Sequence, residues 1–338
     1  MPDPCVNHNS PSALTLSSMP VVKFNELQSF GHLSLVWGVA VEDLTTINNS
    51  ADQSGWYSEM QIPKRGKANR DKFRTVYKLE WGILKQLQKN ISRDIDDTSL
   101  FPDCVKGFVR GRSAVGNAKA HVDQRVILHA DIKDFFDSIT PEQVLGAFIR
   151  LGCKKDIANL LTKICTLNGR LPQGASTSPV VSNLVCSGLD SDLSAFAIRQ
   201  GARYTRYADD LTFSTSGTSN AKEFRGIVDA VRGIVELHGF KLREDKTRTQ
   251  RRGKSQYVTG LCVSAPGEPR APPRVKRRLR LELYYAKKFG IQNHLSRVNL
   301  EWTELRLRAY FRGWIDYLHS VPAESAVAQR LRKQLESL

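Results

Sequence analysis

The chain has 338 residues, of which 41% are hydrophobic and 25% are charged, a composition typical of a globular protein with a real core. Its 50 Lys and Arg outnumber its 34 Asp and Glu, so the formal net charge is +16 and nucleic acid is the favoured class of partner. No apolar run approaches the roughly 20 residues that a membrane-spanning helix needs, and residues 1–20 lack the basic segment of a secretory signal. The six cysteines form no C-x-x-C pair, which argues against a zinc site and a disulfide framework and predicts a cytoplasmic protein.

The N-terminal third contains a basic turn between two strand-like segments. Residues 1–20 are rich in Ser, Asn and Pro and are predicted to form a flexible lead. Residues 56–62 and 72–77 favour strands, and residues 63–70 between them carry four cations that can face a triphosphate. A solvated hairpin tip is the alternative for this turn. Apolar residues at three- and four-residue spacing predict a helix over Trp81–Ile95.

The middle of the chain holds an apolar strand that ends in an acid, Arg125–Asp131. A carboxylate at the end of a buried strand is costly unless it is paired or bound to a metal. Helices are predicted from Thr140–Pro141 onward and over Ile157–Leu167. A loop of small residues at 171–179 then opens a long helix over Val180–Ile198, where a phosphate or a flat base can approach. An ordinary helix start is the alternative.

Asp209 and Asp210 lie between two short segments with the alternation of strands, so they are predicted to occupy the tip of a hairpin. A solvated turn would explain the pair alone, but Asp131 supplies a third carboxylate. Three converging carboxylates repel one another unless a divalent cation neutralises them. Ligation by oxygen alone favours Mg²⁺ or Mn²⁺ over zinc. Two such ions about 4 Å apart support nucleotidyl transfer.

The C-terminal part is predicted to be helical and basic. An amphipathic helix over Ala221–Leu237 is followed by strand-like segments at 240–247 and 256–263 and by a Pro-rich linker at 265–273. Residues 270–312 hold 12 Lys and Arg against 3 Asp and Glu. Helices are predicted over Val275–Phe289 and Leu300–Leu318. Their cations favour a surface that contacts a phosphate backbone over a merely solvated face.

Three segments resemble successive motifs of reverse transcriptases, in the right order: residues 130–136, residues 172–179 and Tyr207–Asp210. The similarity covers roughly residues 55–265, and the basic tail is similar to the thumb of that family. Asn117–His121 matches an N-A-x-x-H insertion, and Val258–Gly260 matches a V-T-G triplet. With these two signatures, the chain most resembles the bacterial retron reverse transcriptases.

The resemblance implies an α+β right-hand polymerase, with fingers, a palm of antiparallel sheet plus helices, and a helical thumb. The implied boundaries are a flexible lead at 1–20, fingers with N-terminal helices at 21–120, the palm at 121–265 and the thumb at 266–338.

The resemblance also implies roles for individual residues. The catalytic, metal-binding acids are Asp131, Asp209 and Asp210, with the backbone carbonyl of Ile132 as a further ligand of two Mg²⁺ ions, for which Mn²⁺ is possible. The residues expected at the nucleotide are Lys64 and Arg74 on the triphosphate, Phe136 as the gate against a ribose 2′-OH, Gln173 and Gly174 as supports, and Lys246 as proton donor to pyrophosphate. The residues expected to bind RNA are Asn117, His121, Val258, Thr259, Gly260, Arg274, Arg277 and Arg278.

For two groups of residues, the resemblance does not assign roles directly. The segment between Arg74 and Gln88 lacks an expected proline and carries an extra residue, so the choice among Lys64, Arg65, Arg70 and Arg74 stays open. Asp134 and Asp137 lie near the acids in sequence but are expected to be structural.

A retron enzyme is expected to bind its own non-coding RNA, of the msr–msd type, and to prime from a guanosine 2′-OH. It then copies part of that RNA into single-stranded DNA, so that the product, msDNA, is a branched RNA–DNA molecule. The implied partners are this RNA and its product, dNTPs, a host ribonuclease H and an effector or toxin protein in anti-phage defence, with no membrane. The alternatives are another bacterial reverse transcriptase, such as a group II intron-like or other defence-associated type, and a non-catalytic RNA-binding protein on a polymerase scaffold.

Overall fold

The computed structural model describes residues 23–51, 53–63, 73–95, 100–217, 221–297 and 302–338. The chain divides into two compact units, residues 1–95 with 141–177 and residues 96–140 with 178–338. The predicted lead at 1–20 and three candidate triphosphate ligands, Lys64, Arg65 and Arg70, lie outside the described residues. The division into lead, fingers, palm and thumb stays a prediction.

The elements follow one another in a mixed order of helices and strands. The helices are α1 (Phe30–Trp37), α2 (Val41–Asn49), α3 (Gly82–Ile95), α4 (Ala114–Lys119), α5 (Pro141–Arg150), α6 (Lys155–Cys165), α7 (Ser178–Val185), α8 (Ser187–Arg199), α9 (Ala221–Leu237), α10 (Pro273–Phe289), α11 (Ile291–Arg297), α12 (Glu304–His319) and α13 (Ser325–Glu336). The strands are β1 (Tyr57–Pro63), β2 (Phe73–Leu79), β3 (Val126–Asp131), β4 (Arg203–Tyr207), β5 (Asp210–Thr215), β6 (Arg248–Arg251), β7 (Tyr257–Val258) and β8 (Leu261–Cys262). This mixture, with antiparallel pairing throughout the named strands, confirms the predicted α+β class.

The first unit joins a two-stranded hairpin to helices. β1 and β2 pair antiparallel, with Ile62 opposite Arg74. The amide of Tyr77 donates to the carbonyl of Gln173 at 2.7 Å, which fastens the loop before α7 to this hairpin. A side chain at Gly174 is excluded, because a Cβ there would lie 2.5 Å from the Tyr77 carbonyl oxygen and φ is +112°.

The second unit is built on a four-stranded sheet of order β4-β5-β3-β6. β3 is central and almost wholly buried, as its apolar sequence predicts. It pairs antiparallel with β5, and the register places Asp131 opposite Asp210. The strand ending in Asp131 and the Asp209–Asp210 hairpin are therefore confirmed.

The C-terminal helices α10 to α13 share an apolar core. Its largest buried members are Leu279, Leu283, Leu307, Phe311, Ile315, Leu318, Leu331 and Leu335. The period of these residues is helical, as predicted for α10 and α12. Among the helices in the described ranges, none combines the length and apolarity needed to cross a bilayer.

Four predicted elements differ from the structure. The long helix over 180–198 is two helices, because ψ is 0° at Cys186 and interrupts the helical path. Residues 240–247 form a single bridge, between Leu242 and Ile132, because a turn at 244–246 ends the pairing before β6 begins. Residues 256–263 fold back as the β7–β8 hairpin, since positive φ at Thr259 and Gly260 reverses the chain. The helix predicted from Leu300 begins at Glu304, because Thr303 caps it: the Thr303 hydroxyl accepts a hydrogen bond from the Arg306 amide.

Candidate active site

The three predicted acids meet at one end of the sheet in the second unit. Asp131 ends β3, Asp210 begins β5 beside it, and Asp209 lies in the turn between β4 and β5. The Ile132 amide donates to the Asp209 carbonyl at 3.0 Å, and Ala208 adopts φ +59° to form the turn. Backbone contacts therefore fix the acids relative to one another.

The electric field at this end of the sheet opposes ionisation of the hairpin acids. Desolvation, followed by the charge of Asp131, raises the pKa of Asp209. Desolvation, followed by the charges of Asp209 and Asp131, raises the pKa of Asp210 to about 6. A bound cation would relieve this repulsion.

Lys246 supplies a cation within the chain. Its Nζ lies 3.0 and 2.8 Å from the two carboxylate oxygens of Asp131. Arg243 reinforces the contact, because its amide donates to the Asp131 carbonyl at 2.7 Å and its Nε lies 3.5 Å from Oδ1. The Arg243 guanidinium also bonds Asp134 at 3.2 Å.

The donor atoms suit a divalent metal, but they are not arranged as a complete set of ligands in this structure. Within the described ranges, no three His, Cys, Asp or Glu residues form a group that could hold an ion. The Asp131 carboxylate is turned to Lys246, so a metal would have to compete with that ammonium. The donors fit a hard cation nonetheless, because they are oxygens only and repel one another.

Asp210 gives a pH-dependent prediction for stability. Its pKa of about 6 in the fold exceeds the usual value near 3.9, so ionisation destabilises the fold as pH rises through 6. We expect Asp210→Asn to raise the melting temperature at pH 7 in EDTA, and the gain to shrink towards pH 4. A variant less stable than the wild type at pH 7 would contradict this account.

Phe136 is held between aromatic neighbours. Its ring centroid lies 5.3 Å from that of Phe135 and 6.1 Å from that of Phe108. Phe135 is buried and packs on Phe240 at 6.1 Å. These contacts hold the half-buried Phe136 ring five residues after Asp131, and its role as a steric gate stays a prediction.

The other predicted nucleotide ligands lie in the first unit. The Gln173 side chain is partly exposed beside Gly174, and Arg74 is exposed on β2. Lys64 lies outside the described residues. Their contact with a nucleotide stays a prediction.

Asn117, His121 and Val258 are predicted to bind RNA and all three are fully buried, so their contact with RNA stays a prediction. The imidazole of His121 bonds the hydroxyls of Ser214 and Thr205, each at 2.7 Å. Thr205 in turn donates to the Asn117 side chain at 2.6 Å. This network joins α4 to β4 and β5, and burial lowers the pKa of His121 to about 3, so the ring is neutral.

The two sequence signatures are neighbours in space. The Thr259 hydroxyl donates to the Ala114 carbonyl at 2.7 Å, and Val258 packs in one cluster with Ala118. Gly260, with φ +81°, is exposed at the turn. The V-T-G hairpin is therefore supported by the N-A-x-x-H helix, and Thr259 and Gly260 stay candidates for contact with RNA.

A cavity of about 460 Å³ extends from Asp210 towards α10. It is lined by His129, Asp210, Thr212, Arg248, Gln250, Tyr257, Thr259, Gly260 and Arg274. Burial and the nearby Arg248 charge lower the pKa of His129 to about 4, so the His129 ring is neutral at physiological pH. The cavity connects the predicted catalytic acid with two of the predicted RNA-binding segments.

A buried ion pair behind the hairpin is missing from the sequence-based prediction. Arg206, fully buried, donates to both carboxylate oxygens of Asp190, at 2.8 and 2.6 Å. It also donates to the Asn183 side chain at 2.9 Å and to the Ala208 carbonyl at 3.3 Å. The alternation of β4 places Arg206 on the same buried face as Tyr204. Because a buried guanidinium needs a counter-charge, this placement indicates that an acid faces Arg206.

We expect Asp190→Ala to lower the free energy of unfolding by about 3–5 kcal/mol, because it leaves the Arg206 guanidinium buried without a counter-charge. Urea denaturation measures the loss. The matched control is Asp192→Ala on the same helix, whose pair with His238 is half exposed, so its effect is expected to stay below about 1 kcal/mol. Equal losses of unfolding free energy in the two variants would show that the buried Arg206 guanidinium does not need the Asp190 carboxylate as its counter-charge.

Comparison with known proteins identifies the family of this chain. Residues 62–264 match the family model "Reverse transcriptase (RNA-dependent DNA polymerase)". The retron Mx162 reverse transcriptase of Myxococcus xanthus is 35% identical over 78% of this chain and 60% of its own length. The retron Ec86 reverse transcriptase of Escherichia coli is 36% identical over 67% of this chain and 68% of its own length. The chain thus spans about three fifths of the first relative and two thirds of the second, and it belongs to the reverse transcriptase family, among the retron reverse transcriptases.

Proposed function

We propose that the chain is an RNA-directed DNA polymerase that copies part of a cognate structured RNA into single-stranded DNA. The observation that carries the proposal is the meeting of Asp131, Asp209 and Asp210 at the end of an antiparallel sheet, in a protein of net charge +16. Keeping three carboxylates together costs stability, as the raised pKa values of the hairpin acids indicate. That cost favours catalysis over a non-catalytic RNA-binding role.

The three acids, with the Ile132 carbonyl, would hold two Mg²⁺ ions, or Mn²⁺. When bound, such ions activate the attacking hydroxyl and stabilise the leaving pyrophosphate. Lys246 carries a proton on an Nζ that lies against Asp131. We assign to it the donation of that proton to the leaving pyrophosphate.

Selection of the nucleotide is assigned to five residues. The Phe136 ring would exclude a ribose 2′-OH, and its aromatic neighbours keep it from moving aside. Gln173 and Gly174 would support the incoming nucleotide. Lys64 and Arg74 would contact its triphosphate.

The resemblance to the retron reverse transcriptases leads us to propose a self-primed reaction for this chain. The proposed substrate is a non-coding RNA of the msr–msd type, with dNTPs, and the primer is a guanosine 2′-OH of that RNA. The product would be msDNA, a branched RNA–DNA molecule. A host ribonuclease H would remove copied template, and an effector or toxin protein would act with the complex in anti-phage defence in the cytoplasm. Arg274, Arg277 and Arg278, all exposed on α10, would contact the RNA backbone.

Sequencing the nucleic acid that copurifies with the protein tests this reaction. The expected result is a DNA joined to RNA through a 2′–5′ branch at one guanosine. Unbranched DNA on the same RNA would favour a different bacterial reverse transcriptase type. RNA without any DNA would favour the non-catalytic alternative.

A further inference from the structure

We propose that a cavity between α10 and α12 binds one unpaired base of the RNA; this rests on the proposed function in taking RNA as the partner. The cavity, here called the α10–α12 pocket, has a volume of about 280 Å³. Its walls are Arg274, Val275, Arg278, Leu279, Tyr310 and Trp314. The volume lies just below the usual range of small-ligand pockets, so the pocket suits a flat group of the size of a nucleobase.

Two aromatic side chains give the pocket a stacking surface. Tyr310 and Trp314 are one turn apart on α12, and their rings meet edge to face with centroids 6.4 Å apart. Both are partly exposed and pack against the buried core of α10 to α13. Unpaired RNA bases are commonly bound by stacking on such rings, which need little reordering when the core already holds them.

The mouth of the pocket is cationic. α10 carries seven Lys and Arg and one acid, Glu282. Arg278 bonds Glu282 at 2.6 Å and is thereby oriented, and Lys276 is occupied by Glu324, also at 2.6 Å. Arg274 is exposed, and within the described part of the chain no side chain forms an ion pair or hydrogen bond with it. Its guanidinium can therefore bind the phosphate of a nucleotide whose base enters the pocket.

Arg274 also links this pocket to the acids, because it lines both the α10–α12 pocket and the 460 Å³ cavity that contains Asp210. An RNA strand anchored by one base can continue past Arg274 towards the active site. A duplex cannot use the pocket in this way, since its bases are paired and stacked. The ligand is therefore an unpaired nucleotide of a loop, bulge or end.

The test compares two fluorescent RNA probes: a hairpin with an unpaired loop, and the same stem as a blunt duplex. Trp314→Leu is expected to weaken binding of the hairpin by roughly 5- to 150-fold, the range for loss of one base–aromatic stack. Binding of the duplex is expected to stay unchanged. Tyr284→Leu on α10 is the matched control, because Tyr284 is 54% exposed and lies outside the pocket walls.

A second pair of variants separates the phosphate contact from the stack. Arg274→Gln is expected to reduce the slope of log affinity against log salt by about one, whereas Trp314→Leu leaves that slope unchanged. Arg280→Gln is the control for charge alone, since Arg280 is exposed on the same helix but does not line the pocket. If Arg280→Gln changes hairpin binding as much as Arg274→Gln does, Arg274 has no special role.

Ultraviolet crosslinking of the wild-type protein to the hairpin covers the case in which Trp314→Leu does not fold. A crosslink between a loop nucleotide and the peptide containing Tyr310 and Trp314 is expected; crosslinks only elsewhere would overturn the pocket. Hairpin binding that survives Trp314→Leu, or equal losses for hairpin and duplex, would overturn it as well. Failure of the wild type to make DNA, with Trp314-dependent hairpin binding intact, would instead count against the polymerase alone.

Discussion

Replacing Asp209 and Asp210 together with Asn abolishes DNA synthesis on an RNA template and leaves RNA binding intact, if the acids act as proposed. The amide keeps the shape of the carboxylate but removes the charge that holds a divalent cation. The expected loss exceeds the roughly 10²–10³-fold that removal of a single stabilising donor costs. Primer extension with labelled dNTPs measures the rate, and filter binding measures the affinity for RNA.

Asp134→Asn is the matched control for this pair. Asp134 is exposed, bonds Arg243 and is expected to be structural, so its variant should retain most of the activity. Full-rate synthesis by the Asp209→Asn, Asp210→Asn protein would remove these acids from the chemistry. A parallel loss of RNA binding would show instead that the hairpin has lost its structure.

Replacing Phe136 with Val is expected to admit ribonucleotides. The Phe136 ring is fixed by Phe135 and Phe108, so shortening the side chain opens space that neighbours do not fill at once. The ratio of kcat/KM for a dNTP to that for the matching NTP is expected to fall by about 10- to 200-fold, the size of a single apolar contact in substrate selection. Steady-state incorporation of each nucleotide gives the ratio.

The dNTP efficiency is the internal control for Phe136→Val. A folding defect lowers incorporation of both sugars, whereas loss of a gate raises incorporation of the NTP and spares the dNTP. Unchanged sugar discrimination in a folded variant would remove Phe136 as the gate.

The sequence predicts the centre of this protein well because the signals there are local. The apolar segment ending at Asp131 and the alternation around Asp209 and Asp210 define a buried strand and a hairpin without reference to the rest of the chain. Helices α3 and α9 follow from their apolar spacing. The meeting of the acids then follows from the pairing of β3 with β5.

The features that sequence patterns miss depend on tertiary packing. A motif identifies Asn117 and His121 as notable, but only the fold shows that they lie inside the protein, bonded to Thr205 and Ser214. The alternation of β4 places Arg206 on a buried face, but only the fold identifies Asp190 as the acid that pairs with it. These contacts join residues that are distant in sequence, so no local pattern encodes them.

The pairing of Lys246 with Asp131 is a further case of this kind. It joins residues 115 positions apart and places a cation against the Asp131 carboxylate. The resemblance predicts a proton donor at Lys246, but not its present contact with Asp131. Binding of a divalent ion to Asp131 would therefore require Lys246 to move from that carboxylate.

A titration of DNA synthesis with Mg²⁺ on a primed RNA template tests the central claim most directly. The account predicts no synthesis in EDTA, synthesis of DNA that rises and saturates with Mg²⁺, and no recovery at any Mg²⁺ concentration in the Asp209→Asn, Asp210→Asn protein. A wild-type protein that binds the template but incorporates no dNTP with Mg²⁺ or Mn²⁺ would contradict it.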